Sequence, residues 1–316
     1  MDLPHVMKEK EQPYDLIGDI HGQHGKLSVL LDHLGYQKQG DSRRHPQGRK
    51  VVFLGDYIDR GPAIREVLHT VRGMVEAGDA LAIMGNHEYN AVCAATPDGR
   101  GSFLRVEKRA SAGHLQTQQQ FAEHQTEWAE WLEWMKRLPM FLDLGGLRAV
   151  HACWDARRIP RLHGRSIADH GFLHLTATEK TPEHRAVTNV LKGPELAMPP
   201  GYQAVDKEGI RRNTVRVRWW NVPKASPVAR LAMPEPFDSP GDASKQDLRR
   251  IPSYGAEEPP VFFGHYWLPP QRQRAPLAPN IACLDYSAAY ADNALTAYRW
   301  DGERVLSPAK FITANS

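Results

Sequence analysis

The sequence has few cysteines, no long apolar run and no strong excess of charge of either sign. Only three cysteines occur among 316 residues, too few for a disulfide framework in a chain of this length. No run approaches the roughly 18 apolar residues that a membrane-spanning helix needs. The first residues also lack the basic and apolar blocks of a secretory signal. These absences favour a cytoplasmic protein that contacts no membrane.

The bulk composition excludes several classes of protein but selects no function. Hydrophobic residues make up 41% and charged residues 24% of the chain, which excludes an intrinsically disordered protein and allows a substantial core. A net charge of +3 is too small over this length to predict nucleic-acid binding by itself, so that partner stays open. We expect a single domain over residues 1–316.

Short apolar runs alternate with helical patterns in the first half of the chain. The runs at 14–17, 51–54 and 80–84 each end in glycine and a polar residue, and apolar residues recur at helical spacing over 24–34 and 63–77. Strand, polar turn and helix in this order predict βαβ units and a parallel sheet. Ligands bind beyond the carboxyl ends of the strands in such sheets.

Polar residues with metal-binding or acid–base chemistry follow the predicted strands. They are Asp19, His21, Asp56, Asp59, Arg60, Asn86, His87, His151 and His265. Mixed imidazole and carboxylate ligands suit Mn²⁺, Fe or Zn²⁺ better than Ca²⁺ or Mg²⁺. One carboxylate can bridge two such ions, and a pair about 3.5–4 Å apart forms a clamp for displacement at phosphorus.

The motifs that contain these residues occur in a known order. Gly-Asp-Ile-His-Gly occupies 18–22, Gly-Asp-Tyr-Ile-Asp-Arg-Gly occupies 55–61 and Gly-Asn-His-Glu occupies 85–88, with His151 and His265 in two later motifs. This order resembles the calcineurin-like metallophosphoesterase superfamily. It is most similar to the phosphoprotein phosphatase branch, which contains Ser/Thr protein phosphatases and symmetrical diadenosine tetraphosphatases.

The resemblance implies an α/β fold: a β-sandwich of mixed sheets flanked by helices. It covers residues 14–155 and roughly 261–300. The segment 182–260 is rich in proline, locally basic over 205–224, and outside the resemblance. We interpret it as an irregular insertion within the single domain.

The resemblance also implies the role of each site residue. Asp19, His21 and Asp56 would bind one metal. The second metal would be bound by Asp56, Asn86, His151 and His265, with Asp56 bridging. Two divalent ions are implied, Mn²⁺ first, with Fe or Zn²⁺ as alternatives. A hydroxide between them would attack phosphorus, because metal binding lowers the pKa of water to about 7.

Three further roles concern the substrate. His87 would protonate the leaving group, Asp59 would orient His87, and Arg60 would bind phosphate oxygens with its planar guanidinium. Relatives usually have Arg before the Gly-Asn-His-Glu motif, where this chain has Met84. Arg157, Arg158 or the basic stretch 205–224 could supply the missing guanidinium.

Several expectations outside the motifs can be tested by the fold. Residues 115–136 read as one long helix with tryptophans in the core, and residues 140–150 read as a hairpin. Residues 281–284 and 295–300 read as a pair of sheet strands. Asp285 and Tyr286 follow the first of these strands and could support the site.

Two groups of residues have both a plain and a functional interpretation. His114, His124 and His174 read as solvated or satisfied surface groups. Arg216, Arg218, Trp219 and Trp220 form either an ordinary strand or a cluster that stacks a nucleobase and grips phosphates.

The leading hypothesis is a dinuclear metal-dependent phosphatase that hydrolyses phosphate monoesters, as Ser/Thr protein phosphatases do. The alternative is a bis(5'-nucleosyl)-tetraphosphatase or another nucleotide or RNA-end phosphohydrolase. A non-catalytic phosphate-binding protein is a third reading, although every implied ligand is retained. The expected partner is a phosphorylated substrate: a phosphoprotein, a nucleotide or a small phosphoester.

Overall fold

The computed structural model describes residues 12–40, 42–106, 112–199, 201–205, 211–222, 227–235, 243–290 and 292–314. Across these ranges, no helix combines the length and the apolar composition needed to cross a membrane. Among the described residues, Cys93, Cys153 and Cys283 are buried and form no disulfide bond.

Short strands and mostly short helices alternate along the chain. The helices are α1 His24–Leu34, α2 Ile64–Glu76, α3 Asn86–Ala95, α4 Ala112–Gln120, α5 Gln125–Met135, α6 His170–Ala177, α7 Pro182–Lys192, α8 Val228–Leu231 and α9 Lys245–Arg250. The strands are β1 Tyr14–Ile17, β2 Gln37–Gln39, β3 Ser42–Arg44, β4 Lys50–Phe53, β5 Ala80–Ala82, β6 Phe141–Asp143, β7 Arg148–Val150, β8 Glu195–Ala197, β9 Ala204–Val205, β10 Arg211–Arg212, β11 Thr214–Arg216, β12 Val261–Phe263, β13 Ile281–Cys283, β14 Leu295–Trp300 and β15 Phe311–Ala314.

Two mixed sheets form the centre of the fold. The first has the order β15-β14-β1-β4-β5, in which β1, β4 and β5 are parallel and β14 and β15 run antiparallel. The second has the order β13-β12-β7-β6, in which only β6 is antiparallel to its neighbour. The hairpin expected at 140–150 is therefore confirmed as β6 and β7.

The two sheets pack face to face. Leu16 and Val52 of the first sheet share one buried cluster with Ala149, Phe262 and Ala282 of the second. Because successive side chains of a strand point to opposite faces, the neighbouring residues face the other way. This apolar interface gives the β-sandwich of mixed sheets that the motifs implied.

Helices cover the outer face of the first sheet. Ile17, Val51 and Phe53 belong to a second, larger cluster, which includes Leu27 of α1 and Val67 of α2. With both faces covered, β1 and β4 read as nearly continuous apolar runs in the sequence. The βαβ units predicted for the first half of the chain are confirmed.

The long helix expected over 115–136 is two helices, α4 and α5. The Phe121 carbonyl, which would accept from the Gln125 N–H in a continuous helix, accepts instead from the Gln125 side-chain amide at 2.7 Å and from the His124 N–H at 3.0 Å. This local competition ends α4. The tryptophans do pack in the core, since Trp131 and Trp134 are buried.

The expectation that residues 281–284 and 295–300 are sheet strands is confirmed. Strand β13 pairs in parallel with β12 in the second sheet, whereas β14 pairs with β1 and β15 in the first. The two strands therefore belong to opposite layers of the sandwich.

The segment 182–260 begins more regularly than we expected. Helix α7 starts with Thr181 as its N-cap, whose side chain accepts from the His184 N–H at 2.9 Å, and ends at Gly193. Short two-stranded pairs follow: β8 with β11, and β9 with β10. Part of the basic stretch 205–224, namely 206–210 and 223–224, lies outside the described residues.

A buried charge network anchors the start of the first sheet. The Asp15 carboxylate is fully buried in β1. It accepts hydrogen bonds from Arg49 Nε and Nη2 at 3.0 Å, from Arg299 Nε at 3.1 Å and from the Tyr36 hydroxyl at 3.0 Å. No motif or periodic pattern in the sequence predicted this network, because its members are far apart in the chain.

We expect Asp15→Asn to lower the free energy of unfolding by about 3 kcal/mol, because it removes the buried carboxylate that accepts from Arg49 and Arg299. Arg49 keeps a second partner in Asp301. Urea denaturation measures the change. The control is Asp143→Asn, which removes an exposed partner of Arg148 and should cost no more than about 1 kcal/mol. Equal losses in the two variants would contradict this role of Asp15.

Candidate metal and phosphoester site

Five strands from both sheets bring polar side chains to one region. Asp19 follows β1, Asp56 follows β4 and Asn86 follows β5, whereas His151 follows β7 and His265 follows β12. These strands are parallel within each sheet, so their carboxyl ends share an edge. All five side chains are buried.

Asp56 lies at the centre of the cluster. Its Oδ1 is 3.4 Å from His151 Nε2, and its Oδ2 is 3.5 Å from His21 Nε2. Ligand atoms of Asp56, His21 and His87 all lie within 4.8 Å of one another, and so do those of Asp56, His151 and His265. The two oxygens of this carboxylate thus face two separate groups of possible ligands.

Backbone carbonyls orient two of the imidazoles. His21 Nδ1 is 2.9 Å from the Ile58 carbonyl, and His151 Nδ1 is 2.8 Å from the Leu54 carbonyl. Because a carbonyl only accepts, Nδ1 carries a proton in each ring. In both rings Nε2 is therefore the nitrogen that faces Asp56, and Asn86 Oδ1 is 3.1 Å from His151 Nε2.

Asp19 and His265 lie against each other on the side of the second sheet. The Asp19 carboxylate accepts from the His265 N–H at 3.0 Å. A Cβ on Gly264 would lie 1.8 Å from Asp19 Oδ1, so only glycine permits this approach. Asp285 accepts from the Trp267 N–H at 2.7 Å and supports the same loop, whereas the Tyr286 ring contacts Arg274.

Left-handed backbone is concentrated in these loops. His21, Asp56, Asp59, Arg60 and His265 have φ values of 47°, 53°, 72°, 66° and 68°. For residues other than glycine, such conformations cost about 1–3 kcal/mol each and persist only where the surroundings enforce them. The fold thus holds several site residues in conformations that they would not adopt in an isolated peptide.

Carboxylates crowd the buried cluster. Burial, and then the nearby charge of Asp285, raises the pKa of Asp19 well above its usual value. Burial would also raise the pKa of Asp56, but the charges of His151 and His87 outweigh it and hold that pKa well below normal. Burial, followed by the charge of Arg216, lowers the pKa of His265 and keeps its ring neutral.

The donor set fits divalent metal ions. It combines buried carboxylates, an amide oxygen and imidazoles, the mixture that suits Mn²⁺, Fe and Zn²⁺. His265 Nε2 is buried and makes no hydrogen bond among the described residues, which is costly for an imidazole nitrogen unless a ligand occupies it. All six side chains expected as ligands are therefore brought together, with Asp56 between two groups.

His87 and Asp59 form a close pair at the edge of the cluster. His87 Nδ1 is 2.5 Å from Asp59 Oδ2, and His87 Nε2 is 3.9 Å from Asp56 Oδ2. Burial would raise the pKa of Asp59, but hydrogen bonds from His114 and His87 lower it instead. His87 also lies in the group of possible ligands that contains His21 and Asp56. The resemblance had implied Asp19, rather than His87, as the third ligand of that group.

Two arginines flank one tryptophan beside the cluster. The Arg60 guanidinium lies 4.7 Å from the Trp267 ring centre, and the Arg216 guanidinium lies 5.3 Å from it. Arg60 Nη1 is 2.5 Å from His21 Nε2, and Arg216 Nη1 donates to the His265 carbonyl at 2.9 Å. Positive charge from the 182–260 segment therefore reaches the site.

The other arginines considered as substitutes at Met84 are engaged elsewhere. Arg157 Nε lies 2.9 Å and Arg158 Nε 3.3 Å from the buried Asp155 carboxylate. Met84 itself is fully buried in the core. Arg216 of the stretch 205–224, in contrast, contacts the candidate ligand His265 through its backbone carbonyl.

The interpretation of Trp219 and Trp220 as a base-stacking platform is wrong. Trp219 is fully buried and Trp220 is 7% exposed. Trp219 Nε1 donates to the Ala152 carbonyl at 3.0 Å, and its ring packs against Phe263. Both rings are core residues, and they lie in an irregular segment that follows β11.

Two supporting residues were missed from the sequence. Glu88 is fully buried, and its carboxylate accepts from the N–H groups of Gly85, Asp56, Tyr57 and Ile58 at 2.8–3.2 Å. Burial, with the charge of Asp56, raises its pKa to about 7. Glu88 belongs to the motif at 85–88, but only the fold shows that its carboxylate contacts the motif at 55–61.

His114 is the second missed residue. We expected it to be a surface group, but it is only 8% exposed and its Nδ1 lies 2.9 Å from Asp59 Oδ1. His124 and His174 match the expectation better, because His124 precedes α5 and the His174 ring contacts the ring of His170. An isolated histidine in a polar helix gives no sequence signal that separates these cases.

Comparison with known proteins identifies curated relatives that match part of the chain. Asymmetrical bis(5'-nucleosyl)-tetraphosphatases PrpE from Anoxybacillus flavithermus and Bacillus subtilis are 45% and 42% identical to this chain over 74 residues. Each alignment covers 23% of this chain and 30% of the relative. The chain therefore matches less than a third of the length of these relatives.

The fold itself is shared with a larger enzyme. A serine/threonine phosphatase from Saccharomyces cerevisiae has a TM-score of 0.52 at 11% identity, over 97% of this chain and 81% of the other. The sequence model for calcineurin-like phosphoesterases matches residues 13–231, and so runs into the segment that the motifs had left outside. With more than half of its length matched, the chain belongs to the calcineurin-like phosphoesterase family.

Proposed function

We propose that this protein is a dinuclear metal-dependent phosphoesterase that hydrolyses phosphate monoesters. One observation carries the proposal: the buried Asp56 carboxylate has its two oxygens turned towards two groups of possible ligands, and the His87–Asp59 pair lies beside it. In this proposal the chain is one domain, and the 182–260 insertion contributes Arg216 to the site.

The buried side chains divide into two sets of ligands. Asp19, His21 and Asp56 would hold one divalent ion. Asp56, Asn86, His151 and His265 would hold the other. When bound, the two ions supply positive charge to the phosphoryl oxygens and acidify the attacking water. Mn²⁺ is our first assignment, with Fe or Zn²⁺ as alternatives for this mixed donor set.

His87 is the proposed general acid. Asp59 accepts from His87 Nδ1, so the imidazole presents Nε2 to the centre of the site, where the leaving oxygen needs a proton. An orienting carboxylate of this kind fixes the tautomer and stabilises the protonated ring. His87 is 15% exposed at its side chain, so it can exchange its proton with solvent between turnovers.

Arg60 and Arg216 are the proposed phosphate-binding residues. Trp267 lies under both guanidiniums, and stacking on an aromatic face limits their motion. Arg216 thereby replaces the guanidinium that relatives carry at the position of Met84.

We expect Arg216→Ala to lower kcat/KM for a phosphate monoester about ten- to a hundredfold, mainly through KM, because it removes a charged hydrogen-bond donor worth about 1.5–3 kcal/mol. Steady-state kinetics with the metal-loaded protein measures this. The control is Arg211→Ala, which removes an exposed guanidinium of β10 and should change kcat/KM less than about twofold. An unchanged KM in Arg216→Ala would remove Arg216 from the phosphate site.

Hydrolysis of a dinucleoside polyphosphate is the second candidate. It is favoured by the names of the relatives that match 74 residues of this chain. The buried Trp219 and Trp220 offer such a substrate no stacking surface, so base recognition would have to come from other side chains. The buried cysteines, which form no disulfide bond among the described residues, fit a cytoplasmic protein that acts on either class of substrate.

The deciding experiment compares substrates on one preparation. The protein is reconstituted with Mn²⁺, Fe²⁺ or Zn²⁺ and given a phosphoserine peptide, an aryl phosphate, diadenosine tetraphosphate and a 5'-phosphorylated RNA. Saturable phosphate release from the peptide supports the monoesterase. Preferential cleavage of diadenosine tetraphosphate supports the second candidate, with ADP alone marking symmetrical cleavage and ATP with AMP marking asymmetrical cleavage. No metal-stimulated turnover of any substrate would refute both.

A further inference from the structure

Helix α4 buries polar residues where a helix normally buries apolar ones. Its sequence from Ala112 to Gln120 contains one threonine and four glutamines but only one large apolar residue, and that residue, Leu115, is 48% exposed. His114 and Thr117, three positions apart and therefore on one face, are 8% and 1% exposed. This helix is therefore held by polar contacts rather than by an apolar stripe.

Those contacts are made to the loop that carries Asp59. Asp59 Oδ1 is 2.9 Å from His114 Nδ1 and accepts from the Thr117 hydroxyl at 2.5 Å. The Asp59 N–H donates back to Thr117 Oγ1 at 3.0 Å. Gln120 donates to the Gly61 carbonyl at 3.0 Å and accepts from the Ile64 N–H at 2.7 Å.

The same loop has two consecutive residues in the left-handed conformation. Asp59 and Arg60 are consecutive residues with φ of 72° and 66°, each costing about 1–3 kcal/mol. The Arg60 N–H also donates to the Gly113 carbonyl of α4 at 3.2 Å. Helix α4 thus contacts every residue of the strained turn through at least one hydrogen bond.

We propose that His114 is a positioning residue: by occupying Asp59 Oδ1, together with Thr117, it directs Asp59 Oδ2 to His87 Nδ1. A carboxylate has two oxygens and rotates freely about its last bond unless one oxygen is fixed. Because an ionised carboxylate only accepts, His114 donates its Nδ1 proton. His114 touches neither the substrate nor the reacting atoms, and its role depends on the proposed function of His87 as the acid.

The side chain that replaces His114 decides the test. Asparagine places an amide N–H near the position of imidazole Nδ1, whereas glutamine places it near Nε2 and alanine provides no donor. We expect His114→Ala to lower kcat about ten- to a hundredfold on an alkyl phosphate, the usual range for a lost outer partner. KM should stay within about twofold and both metals should remain bound. His114→Asn should restore most of kcat, and His114→Gln should not.

Leaving-group dependence separates positioning from a merely structural role. With p-nitrophenyl phosphate, whose leaving group needs little protonation, we expect His114→Ala to change kcat less than about threefold. In a His87→Asn background, His114→Ala should cause no further loss on the alkyl phosphate, because the two residues act as a unit. His124→Ala, at the exposed start of α5, is the control and should match the wild type.

A spectroscopic measurement tests the same contact without turnover. In the metal-free protein, the downfield proton resonance of His87 Nδ1 should move or disappear in His114→Ala and return in His114→Asn. Equal losses on both phosphates, an unchanged resonance, or an additive loss in the His87→Asn background would overturn the proposal. A wild-type protein with no metal-dependent turnover at all would refute the proposed function instead, so the two failures are distinguishable.

Discussion

Asp56→Asn loses bound metal and activity together. Both oxygens of the wild-type carboxylate face possible ligand partners, His151 on one side and His21 on the other. An amide keeps one oxygen and turns an N–H₂ group towards the second ion, which it cannot bind. We expect the metal content to fall from two ions per chain to one or none. Turnover should drop at least about a thousandfold, as loss of several kcal/mol of charge stabilisation predicts.

Metal analysis and thermal unfolding measure this prediction independently of activity. Addition of Mn²⁺ should raise the melting temperature of the wild type, since saturation to 100 times Kd stabilises a site by about 2.7 kcal/mol. The rise should be much smaller in Asp56→Asn. Asp143→Asn, an exposed carboxylate of β6, is the matched control and should bind two ions. Two ions per chain in Asp56→Asn would show that this residue does not bridge.

His87→Asn keeps its metals but loses about a hundred- to ten-thousandfold in kcat on an alkyl phosphate, the usual contribution of a general acid. The asparagine side chain can still contact Asp59 but has no group at the position of Nε2. The loss should be far smaller on p-nitrophenyl phosphate, whose leaving group departs without a proton. Steady-state kinetics on both substrates, with metal analysis, measures the effect.

The control for that variant is His24→Asn. His24 is the first residue of α1, and its ring contacts Thr70 rather than the site, so kcat should stay at the wild-type value. Full activity of His87→Asn on the alkyl phosphate would exclude His87 as the acid. Loss of one metal ion would instead identify His87 as a ligand, as its place in the group with His21 and Asp56 allows.

The polar residues at the centre of the site were more predictable from the sequence than the residues that hold them in position. Asp19, Asp56, His151 and His265 could be placed at one edge of the fold because parallel strands bring their carboxyl ends together. Their roles as metal ligands were implied by the resemblance and stay a prediction. His114 could not be assigned, because one histidine in a polar helix has no periodic or motif signal. Its partner, Asp59, lies 55 residues earlier, and only the packing of α4 on the loop joins them.

Among the aromatic residues, too, some positions could be predicted from the sequence and others could not. Trp131 and Trp134 occupy core positions as their helical spacing predicted. Trp219 and Trp220, adjacent to Arg216 and Arg218, allowed two interpretations, an ordinary strand or a ligand platform. The local sequence does not specify what these rings pack against, and the contact of Trp219 with Phe263 shows that they belong to the core.

By itself, the sequence determined the βαβ start of the chain, the family motifs and the identity of the polar residues at the strand ends. These properties are local, since periodicity, turn chemistry and metal preference act over a few residues. Tertiary structure alone decided that β13 and β14 lie in different sheets, that Arg216 reaches His265 and that α4 supports Asp59. Contacts between distant segments depend on how apolar faces pack together, and that free energy belongs to the whole fold rather than to any one segment.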